Sequence, residues 1–149
     1  MSHKVIVKAL FSVVLGLTLA GCGKELGRVP FSSEGTRSAN LTLAAGEVAF
    51  WTDLQIAYEG DATLDYDIDL SQGGAVVASA LCNPLGQLSV QLGLLEANIG
   101  SSHSRNVRGK MVCTATLPKA GPTDVQAKLV FGTRPTRLDL KKADLVVKQ

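Results

Sequence analysis

The chain has 149 residues, of which 46% are apolar, and 15 Lys and Arg residues against 13 Asp and Glu residues give a net charge of +2. This length and composition suit one domain with a packed core. Both excess basic residues, Lys4 and Lys8, precede residue 22, so 13 basic residues balance 13 acidic ones in the remainder. That balance argues against nucleic acid as a partner, because nucleic-acid-binding domains usually carry a basic surface.

The first 22 residues have the organisation of an export signal. Two lysines precede twelve uncharged residues, 9–20, with the sequence ALFSVVLGLTLA. As a helix, this run is about 18 Å long, which is too short for the roughly 30 Å apolar layer of a membrane. We therefore predict that residues 1–21 are a signal peptide that is removed.

The sequence Leu19-Ala20-Gly21-Cys22 follows directly and resembles the lipobox of bacterial lipoproteins. The resemblance covers only the first 22 residues, and the rest of the chain resembles no family that we recognise. It implies cleavage before Cys22, a diacylglyceryl thioether on its sulfur, and a further acyl chain on its amine. Several acyl chains anchor a protein stably, whereas one holds it only marginally. Because Gly23 and not Asp follows the cysteine, the resemblance implies the outer membrane of a bacterial envelope; an ordinary secretory signal is the alternative.

Residues 22–38 are rich in Gly, Ser and charge and predict a flexible tether, about 20–24 Å from end to end. Val29-Pro30-Phe31 is the exception, because it fits a first edge strand. The globular domain is then predicted to span residues 39–149.

Alternating apolar and polar residues predict antiparallel strands throughout that domain. The clearest pair is 48–58 and 62–70, joined by a turn at Gly60-Asp61. The further predicted strands are 41–43, 75–82, 87–92, 110–117, 125–131, 138–140 and 145–147. Residues 93–108 show no clear period and are predicted as a long loop or a short helical turn. Eight or nine short strands favour an all-β fold, an antiparallel β-sandwich of the immunoglobulin-like or jelly-roll-like kind, with a small β-barrel as the alternative.

Cys82 and Cys113 are the two cysteines that are left once Cys22 is lipidated. An extracytoplasmic compartment is oxidising, so we predict a structural disulfide between them; two free buried thiols are the alternative. A zinc site is disfavoured, because two cysteines and one distant histidine lack the spacing of a zinc motif.

Trp51, Asp53 and Gln55 share the polar parity of the strand 48–58. An exposed Trp beside polar groups can stack on a sugar ring, so these three residues form a candidate carbohydrate site. Packing of Trp51 in the core or in an interface is the alternative.

Asp65, Asp67 and Asp69 share one face of the next strand, and their carboxylates suit a hard cation such as calcium. The spacing resembles the start of an EF-hand loop, but Leu70 and Val76 stand where that loop needs Gly and Glu. We therefore interpret the three acids as a solvated strand face, which also discourages edge-to-edge pairing, with a metal site as the weaker alternative.

Charge is sorted along the chain. Residues 40–104 contain eight acidic and no basic residues, whereas residues 105–149 contain ten basic and three acidic ones. Either the two halves form neighbouring strands and their charges pair, or they form opposite faces and leave a basic surface for anionic lipid or an acidic partner. The candidate members of that surface are Arg134, Arg137, Lys141 and Lys142.

His103 is the only histidine after Cys22, and Ser101, Ser102 and Ser104 surround it in sequence. The nucleophile elbow of serine hydrolases and the glycine motifs of phosphate-binding loops are both missing from the sequence, and neighbouring residues seldom adopt triad geometry. We therefore predict a non-catalytic protein without a cofactor. It presents a binding or scaffolding domain near the membrane to an envelope protein or a glycan; a lipocalin-like carrier of an apolar ligand is the alternative.

Overall fold

The structure, a computed structural model, describes residues 23–149, and within this range all regular structure is β-strand. The signal peptide, the lipobox and Cys22 lie outside the described residues. The strands are β1 (Glu25–Val29), β2 (Gly35–Leu43), β3 (Gly46–Glu59), β4 (Thr63–Gln72), β5 (Ala75–Cys82), β6 (Leu88–Ile99), β7 (Ser102–Leu117), β8 (Gly121–Thr133) and β9 (Arg137–Lys148). The predicted all-β fold is confirmed.

The strands form two antiparallel sheets that pack face to face as a sandwich. Sheet A has the order β1-β9-β3-β7-β6, and sheet B has the order β2-β8-β4-β5. The two sheets stay separate, so the small barrel considered as an alternative is wrong. The lipocalin-like carrier depended on such a barrel and loses its support.

The core lies between the central strands β3 and β4. The parity predicted from the sequence is confirmed, because Phe50, Leu54, Leu64 and Ile68 point inward and are fully buried. Each such side chain contributes roughly 1.5–3 kcal/mol by leaving water. Thr52 also points inward, and its hydroxyl forms a 3.1 Å hydrogen bond with the buried hydroxyl of Tyr66.

The predicted disulfide between Cys82 and Cys113 is present. Cys82 ends β5 at the edge of sheet B, and Cys113 lies in β7 of sheet A, with 5.4 Å between the two Cα atoms. The bond therefore fastens the two sheets to each other on the side of the sandwich where β6 lies.

The prediction of a flexible tether over residues 22–38 is wrong for the described part of that segment. β1 pairs with β9 from Glu25 onward, β2 begins at Gly35 and pairs with β8 along its whole length, and Lys24 and Gln149 exchange backbone hydrogen bonds. The edge strand expected at Val29-Pro30-Phe31 ends at Val29, although Phe31 is also buried. Polar composition misled the prediction, because edge strands expose most of their side chains and so resemble a linker in sequence.

The loop or helical turn predicted for residues 93–108 is also wrong. β6 and β7 form a long hairpin that turns at Gly100-Ser101. Sheet A has one strand more than sheet B, and β5 packs across the sandwich against β7, so most of β6 overhangs sheet B. An overhanging strand buries neither face and therefore needs no alternation of apolar and polar residues.

Candidate binding face on sheet A

Trp51 points away from the core, onto the outer face of sheet A, but it is only 2% exposed. The ammonium of Lys148 lies 3.8 Å from the centre of its ring, and its cross-strand neighbours are Val146 and Lys110. A cation over an indole is worth roughly 0.5–2 kcal/mol. The expectation of an exposed ring that stacks on a sugar is therefore wrong: the outward direction is correct, but lysine occupies the ring face.

Asp53 lies beside Trp51 on this outer face and is the centre of an ion cluster. It is buried and accepts hydrogen bonds from Lys142 Nζ at 2.8 Å, from Arg108 at 3.4 Å and from Arg28 at 3.5 Å. A second buried carboxylate, Asp144 of β9, stands directly opposite Asp53 and accepts a hydrogen bond from Arg28 at 3.0 Å. Two adjacent carboxylates persist here because three cations surround them.

The ion cluster controls the protonation of Asp53. Burial raises the pKa of this carboxyl. The hydrogen bond and charge of Lys142, the charge of Arg108 and the hydrogen bond from Arg28 lower it by more. The pKa of Asp53 therefore lies below its usual value. Asp53 is therefore ionised at neutral pH.

We expect Asp53→Asn to lower the free energy of unfolding by about 1–3 kcal/mol at pH 7, because an amide cannot neutralise the surrounding cations. The carboxyl has a lower pKa in the folded than in the unfolded chain, where the pKa is about 4. Its contribution is therefore fully present above about pH 4 and is lost as the pH falls through the folded value. Urea unfolding at pH 7 and at pH 3 measures the effect.

The control for this experiment is Asp67→Asn, which changes an exposed carboxylate on sheet B. The free energy of unfolding of Asp53→Asn should be lower than that of the native protein at pH 7, and this difference should be smaller at pH 3. A difference that stays constant across this range would contradict the role given to the ion cluster.

Gln55 continues the outer face beyond the ion cluster. It stands between Lys142 of β9 and Asn106 of β7 in cross-strand register. The carbohydrate candidates Asp53 and Gln55 are therefore neighbours, as predicted from their spacing. Ion pairs occupy the Asp53 carboxylate, however, and Lys148 covers the ring of Trp51.

The end of this outer face is an apolar groove of about 580 Å³. Its floor is made of small side chains, Ala57, Ser104 and Ala97, which lie side by side on β3, β7 and β6. The exposed side chain of Ile99 extends its apolar lining. Small residues on three adjacent strands create the depression, since larger neighbours stand around them.

His103 borders the groove with Ser102 and Ser104. It stands opposite Tyr58 and Asn98 in cross-strand register, so its side chain lies on the other face of sheet A from the two serine side chains. Its ring packs on Tyr58 with 5.0 Å between the ring centres, and its Nδ1 forms a 2.6 Å hydrogen bond with the side-chain oxygen of Asn98. An amide thus occupies the position that a carboxylate holds in a catalytic triad.

The four residues of the predicted basic surface each pair with a carboxylate. The pairs are Arg134 with Glu34, Arg137 with Glu59 at 3.5 Å, Lys141 with Asp139 at 3.9 Å, and Lys142 with Asp53 at 2.8 Å. Three of these acids are distant in sequence but adjacent in the fold, so the structure favours charge pairing over a free basic surface. The three pairs other than Lys142–Asp53 lie near the surface, and such pairs add little stability, about 0–1 kcal/mol each.

Asp65, Asp67 and Asp69 lie along the outer face of sheet B. Asp67 stands opposite Lys128 of β8, and Asp69 accepts a 2.6 Å hydrogen bond from the hydroxyl of Ser79. Within residues 23–149, no group of three or more His, Cys, Asp or Glu side chains is arranged to hold a metal ion.

Sequence reasoning missed Arg28 and Arg108, which bind Asp53, and the neighbouring carboxylate Asp144. Asp144 carried a usable signal, because it interrupts the otherwise apolar run Ala143-Asp144-Leu145-Val146-Val147. A charge in a buried strand must be paired. The groove carried no such signal, since its small residues come from strands that are far apart in the chain.

No helix that is long and apolar enough to cross a membrane occurs among residues 23–149. The chain matches no protein-family model, and a comparison with curated proteins finds no significant match.

Proposed function

We propose that this chain is a lipid-anchored, non-catalytic protein of the bacterial cell envelope, and that its β-sandwich is a binding or scaffolding domain. The observation that carries the proposal is the sequence Leu19-Ala20-Gly21-Cys22 directly after a basic start and an apolar run. The Cys82–Cys113 disulfide supports it, because such bonds persist in oxidising compartments outside the cytoplasm. Gly23 after the cysteine supports the outer membrane as the location.

The position of the first described residues sets how such an anchor would hold the domain. Cys22 immediately precedes Gly23, and Lys24 is already hydrogen-bonded to Gln149 at the end of β9. The Gln149 side chain also binds the backbone of Ala44 in the turn between β2 and β3, with two 2.8 Å hydrogen bonds. We call this end of the sandwich the anchor end; acyl chains on Cys22 would hold it against the lipid surface.

The apolar groove lies at the other end of the sandwich. Along β3, eleven residues separate Gly46, near the anchor end, from Ala57 in the groove floor, which corresponds to about 37 Å at about 3.4 Å per residue. An anchored domain would thus present this apolar depression away from the membrane. Exposed apolar patches of this kind are typical of binding sites, so we propose the groove as the binding site for an envelope partner.

Cys22→Ser tests the anchor. We expect the native protein in the membrane fraction, extractable only with detergent, and the variant in the soluble extracytoplasmic fraction, because serine cannot form the thioether. Cell fractionation followed by immunoblotting measures the distribution. Lys24→Ser, two residues away, is the control and should stay in the membrane fraction.

Mass spectrometry of the native protein gives the independent check. The mass should equal residues 22–149 plus the acyl groups. A variant that remains in the membrane pellet, an unmodified Cys22, or retention of residues 1–21 would each overturn the proposal.

A further inference from the structure

Among residues 23–149, β6 is an edge strand of sheet A, and most of it is exposed on both faces. Every residue from Gln91 to Gly100 is exposed, because this part of the strand overhangs sheet B. The backbone N–H and C=O groups on the far side of β6 have no ladder partner within residues 23–149. This edge can therefore accept another strand.

The edge lacks the features that usually prevent such pairing. Leu95 and Ile99 are 74% and 80% exposed, and Leu92 is also exposed. β6 contains no Pro, no Lys and no Arg, and Glu96 is its only charged residue. β2, an edge of sheet B, differs in carrying Arg37 among polar residues. Natural proteins protect an exposed apolar edge by covering it or by pairing it.

We propose that β6 pairs antiparallel with β6 of a second copy of this chain, about a twofold axis at Ala97. In this register Leu95 stands opposite Ile99 of the second copy, and Ile99 stands opposite Leu95 of the second copy. Glu96 stands opposite Asn98 of the second copy, so no like charges meet. Apolar pairs directly across an antiparallel ladder are favourable, and like charges there are unfavourable.

Two neighbouring positions of the twofold axis also keep each side chain on its own face of the sheet, but the residue pairs that they form are less complementary. An axis at Glu96 places the two Glu96 carboxylates directly opposite each other. An axis at Leu95 pairs Ile99 with Gln91 and Glu96 with Leu94. Of these three axes, the one at Ala97 therefore gives the most self-complementary pairing.

The apolar groove is continuous with this edge. Ala97 and Ile99 both belong to the lining of the groove, and a twofold axis perpendicular to the sheet keeps the outer faces of both copies on the same side. The two grooves would then meet across the axis, and each Ile99 would pack against Leu95 of the other copy. The pairing thus covers the apolar residues that a single copy leaves exposed.

Antiparallel pairing also sets the direction of the anchor ends. Ala97 lies level with Ala57, about 37 Å from Gly46 along β3, so the two anchor ends would point in opposite directions about 75 Å apart. If the chain is anchored as proposed above, two copies in one membrane would not pair in this way, whereas copies in two facing lipid surfaces would. This last step rests on the proposed function; the pairing of β6 does not.

Cysteine cross-linking tests the pairing and its register. In protein purified from the producing cells and oxidised briefly, we expect Ala97→Cys to form a disulfide-linked dimer, because residues directly opposite in an antiparallel ladder have Cα atoms about 4.5–5.5 Å apart. The matched control is Val112→Cys, which is 67% exposed in the neighbouring strand β7. A mixture of Leu95→Cys and Ile99→Cys should cross-link more than either variant alone. An Ala97→Cys yield no higher than that of Val112→Cys would overturn the proposal.

Two further measurements separate this proposal from the lipid anchor. Sedimentation should show concentration-dependent dimers for Cys22→Ser, which lacks acyl chains, and monomers once Leu95→Lys is added. The control is Leu81→Lys on β5, where Leu81 is 67% exposed, and this substitution should leave the dimer intact. Monomers of Cys22→Ser at all concentrations would overturn the pairing. Vesicles carrying the lipidated protein should cluster, and Leu95→Lys should abolish clustering; dimers in solution without vesicle clustering would overturn only the orientation on the anchor.

Discussion

Replacing both Cys82 and Cys113 by Ala is expected to lower the free energy of unfolding by about 3–4 kcal/mol, the largest effect that we predict for a local change. The disulfide closes a loop across a sequence separation of 31 and thereby restricts the unfolded chain. It also ties β5 to β7, so its loss loosens the two sheets where β6 overhangs. Urea unfolding without reductant measures the change.

A thiol reductant provides the control for this prediction. It should shift the unfolding midpoint of the native protein toward that of the double variant and leave the double variant unchanged. Equal stability of the native protein and the double variant, or a native midpoint insensitive to complete reduction, would contradict the structural role of the disulfide.

Gly109→Ala is expected to destabilise the fold by about 1–3 kcal/mol or to distort the β6–β7 ladder, because it overpacks a closed site. A Cβ atom at this position would lie 2.5 Å from the backbone oxygen of Val90 and 2.7 Å from Cδ1 of Leu88. The register of β6 shifts between these two residues, which brings its backbone close to β7. The backbone oxygen cannot move aside without breaking the ladder. Thermal unfolding measures the loss.

Gly93→Ala is the matched control for this substitution. Gly93 lies in β6, on the partner strand of the same ladder, and a Cβ atom there would meet nothing within 4 Å. Its melting temperature should stay within a degree or two of the native value or rise slightly, since alanine restricts the unfolded chain more than glycine. Similar losses for both glycines would show that the close approach of β6 to Gly109 is not the cause.

The strands with one buried face were predictable from the sequence. In β4 the inward residues Leu64, Tyr66 and Ile68 alternate with polar ones, because the inner face leaves water and the outer face stays largely exposed. The disulfide was also predictable, since Cys82 and Cys113 are the two cysteines after Cys22, and the export that the lipobox resemblance implies would favour their oxidation.

The edge strands were not predictable in the same way. β1, β2 and the exposed part of β6 bury little side-chain surface, so their sequences carry no strong period, and they were assigned to a tether and a loop. What holds them is backbone hydrogen bonding to β9, β8 and β7, which depends on strand order and leaves almost no trace in the local sequence.

The amino-acid sequence by itself determined the class of fold, the inward face of the central strands and the two disulfide partners. Only the tertiary structure decided that Lys148 covers Trp51, that Asp53 gathers Arg28, Arg108 and Lys142, and that β6 is left with a free apolar edge. The physical reason is the range of the interactions. Burial of one strand face requires an apolar residue at every second position, so it can be read from the local sequence. Contacts across β9, β3 and β7 join residues far apart in the chain and exist only once the strands are in order.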